Sequence, residues 1–145
     1  MKRLTLLKGL LFALFALALS TTQAMAKKKV IDKMYMFGFS ASFKDSTVYF
    51  TDVQEVNNVW FDTKNKFLLG REFYSEQLKD FLSKKRQLPA RTCVVMFDSK
   101  QKKAEKKLLK MKRLYTVKAK GKYEVQYLGP EDFKFKTLDL DFSEQ

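Results

Sequence analysis

Met34-Tyr35-Met36-Phe37-Gly38-Phe39-Ser40-Ala41-Ser42, followed by Phe43-Lys44-Asp45-Ser46 and then Thr47-Val48-Tyr49-Phe50-Thr51-Asp52-Val53, decides the fold of this chain. The first segment alternates bulky and small groups, with Tyr35, Phe37 and Phe39 on one face. Period two with aromatic enrichment reads as a strand. Lys44-Asp45-Ser46 is turn chemistry. Thr47 to Val53 reads as a second strand, with Val48 and Phe50 on one face and Tyr49, Thr51 and Val53 on the other. Together they predict a β-hairpin.

Residues 54–70 are richer in turn signals, with Asn57-Asn58 and Asp62-Thr63-Lys64-Asn65. Val59-Trp60-Phe61 and Phe67-Leu68-Leu69 interrupt them as apolar anchors. A loop with one short extended piece is expected, with Trp60 anchored in the core because an exposed indole is costly. Tyr74, Leu78, Phe81 and Leu82 then recur at helical spacing, predicting a helix from about Ser75 to Lys85. Ser75 is the candidate N-cap, and Pro89 enforces a stop.

Arg91 to Phe97 predicts a strand apolar on both faces, Cys93, Val95 and Phe97 pointing one way and Val94 and Met96 the other. Such a strand is expected to be central and covered on both sides. Asp98 or Ser99 would cap a second helix over about residues 100–115. Its narrow apolar stripe is Ala104, Leu108, Met111 and Tyr115, and Lys102, Lys106, Lys110 and Arg113 lie opposite. Tyr123, Val125 and Tyr127 alternate with Glu124 and Gln126, a half-buried strand. After Gly129-Pro130, Phe133 and Phe135 alternate with Lys134 and Lys136, suggesting a last edge strand.

The expected fold is therefore α+β. A mixed sheet of four to five strands, in chain order β-β-α-β-α-β, carries two helices. A right-handed crossover would set residues 92–97 parallel and adjacent to 123–128. The expected domain spans 27–137, and residues 138–145 form an acidic, mobile tail.

The address is written in residues 1–26. Lys2, Arg3 and Lys8 make a positive start, Leu10 to Leu19 is a run of 10 apolar residues, and Ala24-Met25-Ala26 is a small-x-small cleavage pattern. This is an export signal peptide. Its apolar run is half of the roughly 20 residues a spanning helix needs, and no later segment is long and apolar enough to supply a transmembrane span. The mature chain is expected to start at Lys27 in the periplasm or outside the cell. Cys93 is the only cysteine, so neither a lipoprotein anchor after the cleavage site nor an intramolecular disulfide can form.

The chain has 29 Lys+Arg, 16 Asp+Glu and no histidine. Without histidine, Ser–His–Asp and Cys–His catalysis and His-containing zinc sites are excluded. Cys93 lies mid-strand and reads as a buried, inert thiol. Gly38 and Gly70 are isolated, so no phosphate loop is present. Asp52, Glu55, Asp62, Glu72, Glu76 and Asp98 are candidates for carboxylate chemistry, but their spacing singles out no pair. Neither a catalytic set, a metal site nor a cofactor is expected.

The charge is localised. Residues 100–122 hold 11 Lys+Arg against the single acid Glu105. Such a block solvates a helix face or attracts an anionic partner. Ten of the eleven are lysines, point charges without the bidentate fork of arginine. The sharper reading is diffuse docking by Lys102, Lys106, Lys110 and Arg113 on lipid headgroups, envelope polysaccharide or an acidic protein. Nucleic acid fits the charge but not the export. The stripe holds Tyr115 and neither Trp nor Phe, which argues against insertion of this helix into a bilayer.

Two resemblances accompany this reading. The run Phe37–Glu55, with Phe67-Leu68-Leu69-Gly70-Arg71-Glu72, Arg91-Thr92-Cys93-Val94-Val95 and the Glu105-Lys106-Lys107 helix, resembles small exported proteins of Bacteroidetes-type bacteria. It implies a periplasmic protein of a Gram-negative cell and carries no activity. Residues 91–128 are similar to half of a SPOR-type peptidoglycan-binding domain. The opening hairpin and the inserted 54–70 segment depart from that pattern, and no binding residue is carried over. The expectation is a non-enzymatic envelope module, with a SPOR-like peptidoglycan binder or a small periplasmic carboxylate-based hydrolase as alternatives.

Overall fold

β1 (Lys28–Ala41) is the spine of the molecule. In the computed structural model, which describes residues 27–144, every other strand is reached through it. The expected export signal over 1–26 lies outside the described residues. The elements that follow are β2 (Thr47–Thr51), β3 (Gln54–Asp62), β4 (Phe67–Leu68), α1 (Arg71–Lys85), β5 (Thr92–Asp98), α2 (Gln101–Tyr115) and β6 (Glu124–Leu128). The fold is α+β, with a mixed six-stranded sheet ordered β4-β3-β1-β2-β6 and β5 on the other edge of β1.

β2 and β3 pair antiparallel with the same edge of β1 and behave as one long strand with a kink. Phe39 pairs with Phe50, whereas Met36 pairs with Gln54, so one extra residue is inserted opposite β1. That is a β-bulge. The Thr51 hydroxyl serves it, accepting the Gly38 N–H at 2.8 Å and donating to the Asp52 carbonyl at 2.8 Å. The insertion reverses the alternation. Val53 therefore packs with Phe37, Phe39, Val48 and Phe50, not on the Tyr49 and Thr51 face expected from strict period two. Beyond the bulge, 54–62 is a nine-residue strand where a loop with one short extended piece was expected.

Gly38 is small for a reason besides the bulge. A Cβ there would lie 2.6 Å from Leu78 Cδ2 and 3.3 Å from Phe135, so α1 and the C-terminal segment approach the strand closely.

The two faces of the sheet are covered differently. On one, Met34, Met36, Val56 and Val95 pack against Tyr74, Leu78 and Leu82 of α1 and against Phe133 and Phe135. On the other, Phe37, Phe39, Val48 and Phe50 pack against Leu108, Met111 and Tyr115 of α2. Phe39 is a hub there, its ring 5.0 Å from Phe50 and 4.8 Å from Tyr115. Both halves of the core lie within residues 27–144.

α1 starts earlier than its apolar spacing suggests. Gly70 is the N-cap, in the left-handed region at φ 72°, and its carbonyl accepts the Phe73 and Tyr74 N–H groups. Ser75 is not the cap; its hydroxyl bonds back to the Arg71 carbonyl at 3.2 Å. The helix closes with Gln87 at positive φ and the Leu88 N–H on the Leu82 carbonyl, just before Pro89.

β5 has the expected faces but not the expected place. It pairs antiparallel with β1 alone, from Tyr35 with Asp98 to Ala41 with Thr92. β6 pairs parallel with β2, from Thr47 with Glu124 to Thr51 with Leu128. β5 and β6 therefore run in the same direction but are not neighbours, because β1 and β2 lie between them. The hairpin occupies the slot that a simple crossover would have filled. β5 is an edge strand, and two cations cover its outer carbonyls. Arg71 Nε donates to Val95 at 2.6 Å and Lys107 Nζ to Phe97 at 2.8 Å.

No strand forms at Phe133–Lys136, although both phenylalanines are buried. The segment is held instead by glutamine side chains acting as strand surrogates. Gln54 donates to the Phe133 carbonyl at 2.9 Å and accepts the Phe135 N–H at 2.9 Å. Gln77 of α1 does the same at Lys136, at 2.8 Å and 2.9 Å. Thr137 adds a bond to the Asn57 carbonyl. The following residues are part of the packing and not a free tail. Leu138 joins the core, and Phe142 is buried with its ring edge-on to the half-buried Trp60 at 6.5 Å.

Candidate functional site

α2 is amphipathic with an extreme polar face. Ala104 and Leu108 are buried and Met111 and Tyr115 half-buried, the stripe expected from spacing. Lys100 occupies the N-cap without a side-chain cap, and Asp98 serves from outside the helix by accepting the Lys100 N–H at 3.0 Å. Ser99 does not cap. The first turn contains no acid and the last contains Lys112 and Arg113. The carboxylate of Asp98 is thus the anion placed to complement the helix N-terminus.

Apart from Lys103, which lines the cleft at the start of α2, the basic residues of the helix divide into two groups. Lys107 and Lys112 are folded back onto the protein. Lys107 reaches Asp98 Oδ2 at 3.2 Å besides the Phe97 carbonyl, and Lys112 lies over the Tyr127 ring at 4.6 Å. Lys102, Lys106, Lys110 and Arg113 are all exposed, and their i, i+4, i+8, i+11 spacing places them together on the outward face. None of these four forms an ion pair among the described residues. Leu109 borders this face, 51% exposed. The signal for it was present in the sequence, an apolar residue three positions after Lys106 and outside the buried stripe.

A cleft of about 260 Å³ adjoins the start of α2, lined by Phe61, Lys66, Phe97, Asp98, Lys103 and Lys107. Burial works to raise the pKa of Asp98, but the Lys100 N–H and the Lys107 ammonium outweigh it and hold the carboxyl below its ordinary value. Asp98 is therefore an ionised anchor for Lys107. A second groove contains Asp80, Glu131 and Asp132. There Asp132 pairs with Arg86 at 3.2 Å and Asp80 with Lys84 at 3.8 Å.

Cys93 is half-buried beside the α1 core, and burial foremost pushes its thiol up, against a hydrogen bond with Ser40 and the charge of Arg91. No group of three or more His, Cys, Asp or Glu able to hold a metal occurs among the described residues. No helix among them is long and apolar enough to cross a membrane.

Arg91 was silent in the sequence and is the most constrained cation in the structure. Its side chain is 2% exposed. Nε donates to Ser40 Oγ at 3.0 Å, NH1 contacts both Asp45 carboxylate oxygens at 3.2 and 3.0 Å, and NH2 donates to the Thr47 carbonyl. The guanidinium also lies over the Tyr49 ring at 4.9 Å. It ties β1, β2 and the hairpin turn to the start of β5. Each guanidinium nitrogen donates to a partner within the fold, which makes this a structural fastening.

No family model, curated protein or solved structure matches this chain.

Proposed function

We propose that the chain is an exported, non-enzymatic module of the cell envelope that contacts an anionic partner through the outward face of α2. The observation that carries this reading is the grouping of Lys102, Lys106, Lys110 and Arg113 on one exposed face, free of intramolecular ion pairs among the described residues. A helix that needed charge only for solubility gains more from alternating signs, which also support each other at i, i+4. Here Glu105 is the only acid in the helix. Export is supported by the charged start, apolar run and cleavage pattern of residues 1–26. A non-enzymatic role is supported by the lack of histidine and by the engagement of Asp98 with Lys107.

The test is retention on an isolated envelope fraction and on immobilised heparin. Changing Lys102, Lys106 and Lys110 together to Glu is expected to weaken retention, and so is raising salt above about 0.15 M, where the Debye length falls below about 8 Å. Retention indifferent to both would reduce the face to a solvated surface. Sequencing of the processed protein is expected to begin at Lys27, and recovery of an unprocessed chain in the cytoplasm would defeat the export part.

A further inference from the structure

The end of the sheet beyond α2 combines two features rarely found together. The turn between β1 and β2 is braced. Ser42 Oγ accepts the Lys44 N–H at 3.1 Å, Asp45 Oδ1 accepts the Thr47 N–H at 3.0 Å, and Arg91 grips Asp45 from below. Yet the phenyl ring this turn presents, Phe43, is 106% exposed. A fixed turn holding an aromatic ring out in water is a feature in need of a partner.

The second turn at this end, between α2 and β6, lies alongside. The Glu124 N–H bonds to the Ser46 carbonyl at 3.0 Å, and Phe43 shares a shallow depression with Tyr115 and Tyr123. This turn presents Val117, 74% exposed, with Leu114 and Tyr123 also exposed. Lys44 follows Phe43 in its turn, Lys118, Lys120 and Lys122 follow Val117 in the other, and all four are exposed. The nearby acids are engaged elsewhere, Asp45 by Arg91 and Glu124 by the Gln126 amide at 2.7 Å.

We infer that this end docks on an anionic lipid bilayer, with Phe43 and Val117 entering the headgroup region and the four lysines meeting lipid phosphates. The inference rests on the anionic-partner reading above and names that partner. Charge complementarity favours a phosphate-bearing surface. Phe43 and Val117 are the two most exposed large apolar side chains and project from separate turn tips, and the depression beside Phe43 is shallow, which suits a soft interface more than a protein partner. Lysines with long apolar stems are suited to this level of a bilayer. It is the tip that inserts, not the length of α2.

The experiment uses the chain from Lys27 to Gln145, which carries the whole described fold and lacks the apolar leader. Binding is read by sedimentation with vesicles of phosphatidylglycerol mixed with phosphatidylcholine, with vesicles of phosphatidylcholine alone, and by retention on immobilised heparin. The wild type is expected to sediment with the anionic vesicles only. Phe43→Ser with Val117→Ser leaves the charge unchanged and is expected to lower vesicle affinity at least about tenfold while keeping heparin retention. Both positions are exposed, and an unchanged circular dichroism spectrum checks the fold. Vesicle binding indifferent to the serine pair overturns the insertion. Heparin retention without binding to anionic vesicles overturns the bilayer as partner and leaves the broader reading standing. Loss of both overturns both.

Discussion

The side-chain carbonyl of Gln54 accepts the backbone N–H of Phe135, and the same amide donates to the Phe133 carbonyl, both at 2.9 Å. One buried side chain thereby replaces a missing sheet partner for a segment at the far end of the sequence. Gln54→Ala leaves a backbone donor and acceptor unpaired in a buried place, which costs roughly 1–3 kcal/mol per group. Destabilisation of about 2–6 kcal/mol is expected in urea unfolding. Gln77→Ala, with exposed partners, is expected to cost less than about 1 kcal/mol.

Phe142 seals the half-buried Trp60, the only tryptophan of the chain. Deleting residues 138–145 removes Leu138 and Phe142 from the packing. The expected result is a red shift of Trp60 emission and a loss of about 3–5 kcal/mol, the scale of one buried and one partly buried apolar side chain. Unchanged emission would contradict the packing of this segment.

Asp45 is half-exposed, whereas the Arg91 side chain it holds is buried. Asp45→Ala therefore strands a buried cation and is expected to destabilise by about 3 kcal/mol. Replacing Arg91 by Met at the same time removes the stranded charge. The double variant is expected to lose less than the two single losses combined, as measured by a double-mutant cycle in urea.

Asp98 and Asp62 both have pKa values lowered from 3.8. For Asp62 the Asn65 N–H is the chief cause, and burial opposes it. A lowered folded-state value means the unfolded chain binds protons first as pH falls. The contribution to stability is complete above the unfolded value and is lost as pH drops through the folded one. Stability is expected to decline below about pH 4. Asp98→Asn is expected to flatten that decline in thermal melts, and an unaltered acid limb would refute the role assigned to Asp98.

The hairpin, both helices and the faces of β5 were legible because each follows a simple period in apolar residues. Val53 was misplaced because a single inserted residue reverses period two, and nothing local marks the insertion. β3 was hidden because its outer positions, Glu55, Asn57 and Asn58, are polar and resemble turn residues. The place of β5 depends on the hairpin filling the sheet beside β1, a choice made by tertiary pairing. The alternation of Phe133 and Phe135 correctly signalled burial, but their hydrogen-bond partners are side-chain amides, for which sequence has no periodic signature.

At the candidate site, the grouping of Lys102, Lys106, Lys110 and Arg113 followed from helical spacing alone. The retraction of Lys107 and Lys112 did not, since it depends on Asp98 and Tyr127 being within reach. Phe43 was equally hidden. A phenylalanine in a turn is expected to fold inward, and only the completed hairpin shows that it does not.

The glutamine-held segment also orders events in time. The α2 face can close once residues up to Val125 are available, since its core draws on nothing later. The opposite face needs Phe133 and Phe135, bound through Gln54 across a separation of 81 positions. A chain emerging from the ribosome must therefore keep Met34, Met36, Val56 and Leu78 incompletely covered until Phe133 and Phe135 have emerged. Contacts of such long sequence separation form slowly. The nascent protein spends that interval as a half-dressed sheet, the state most open to a chaperone or to threading through a pore.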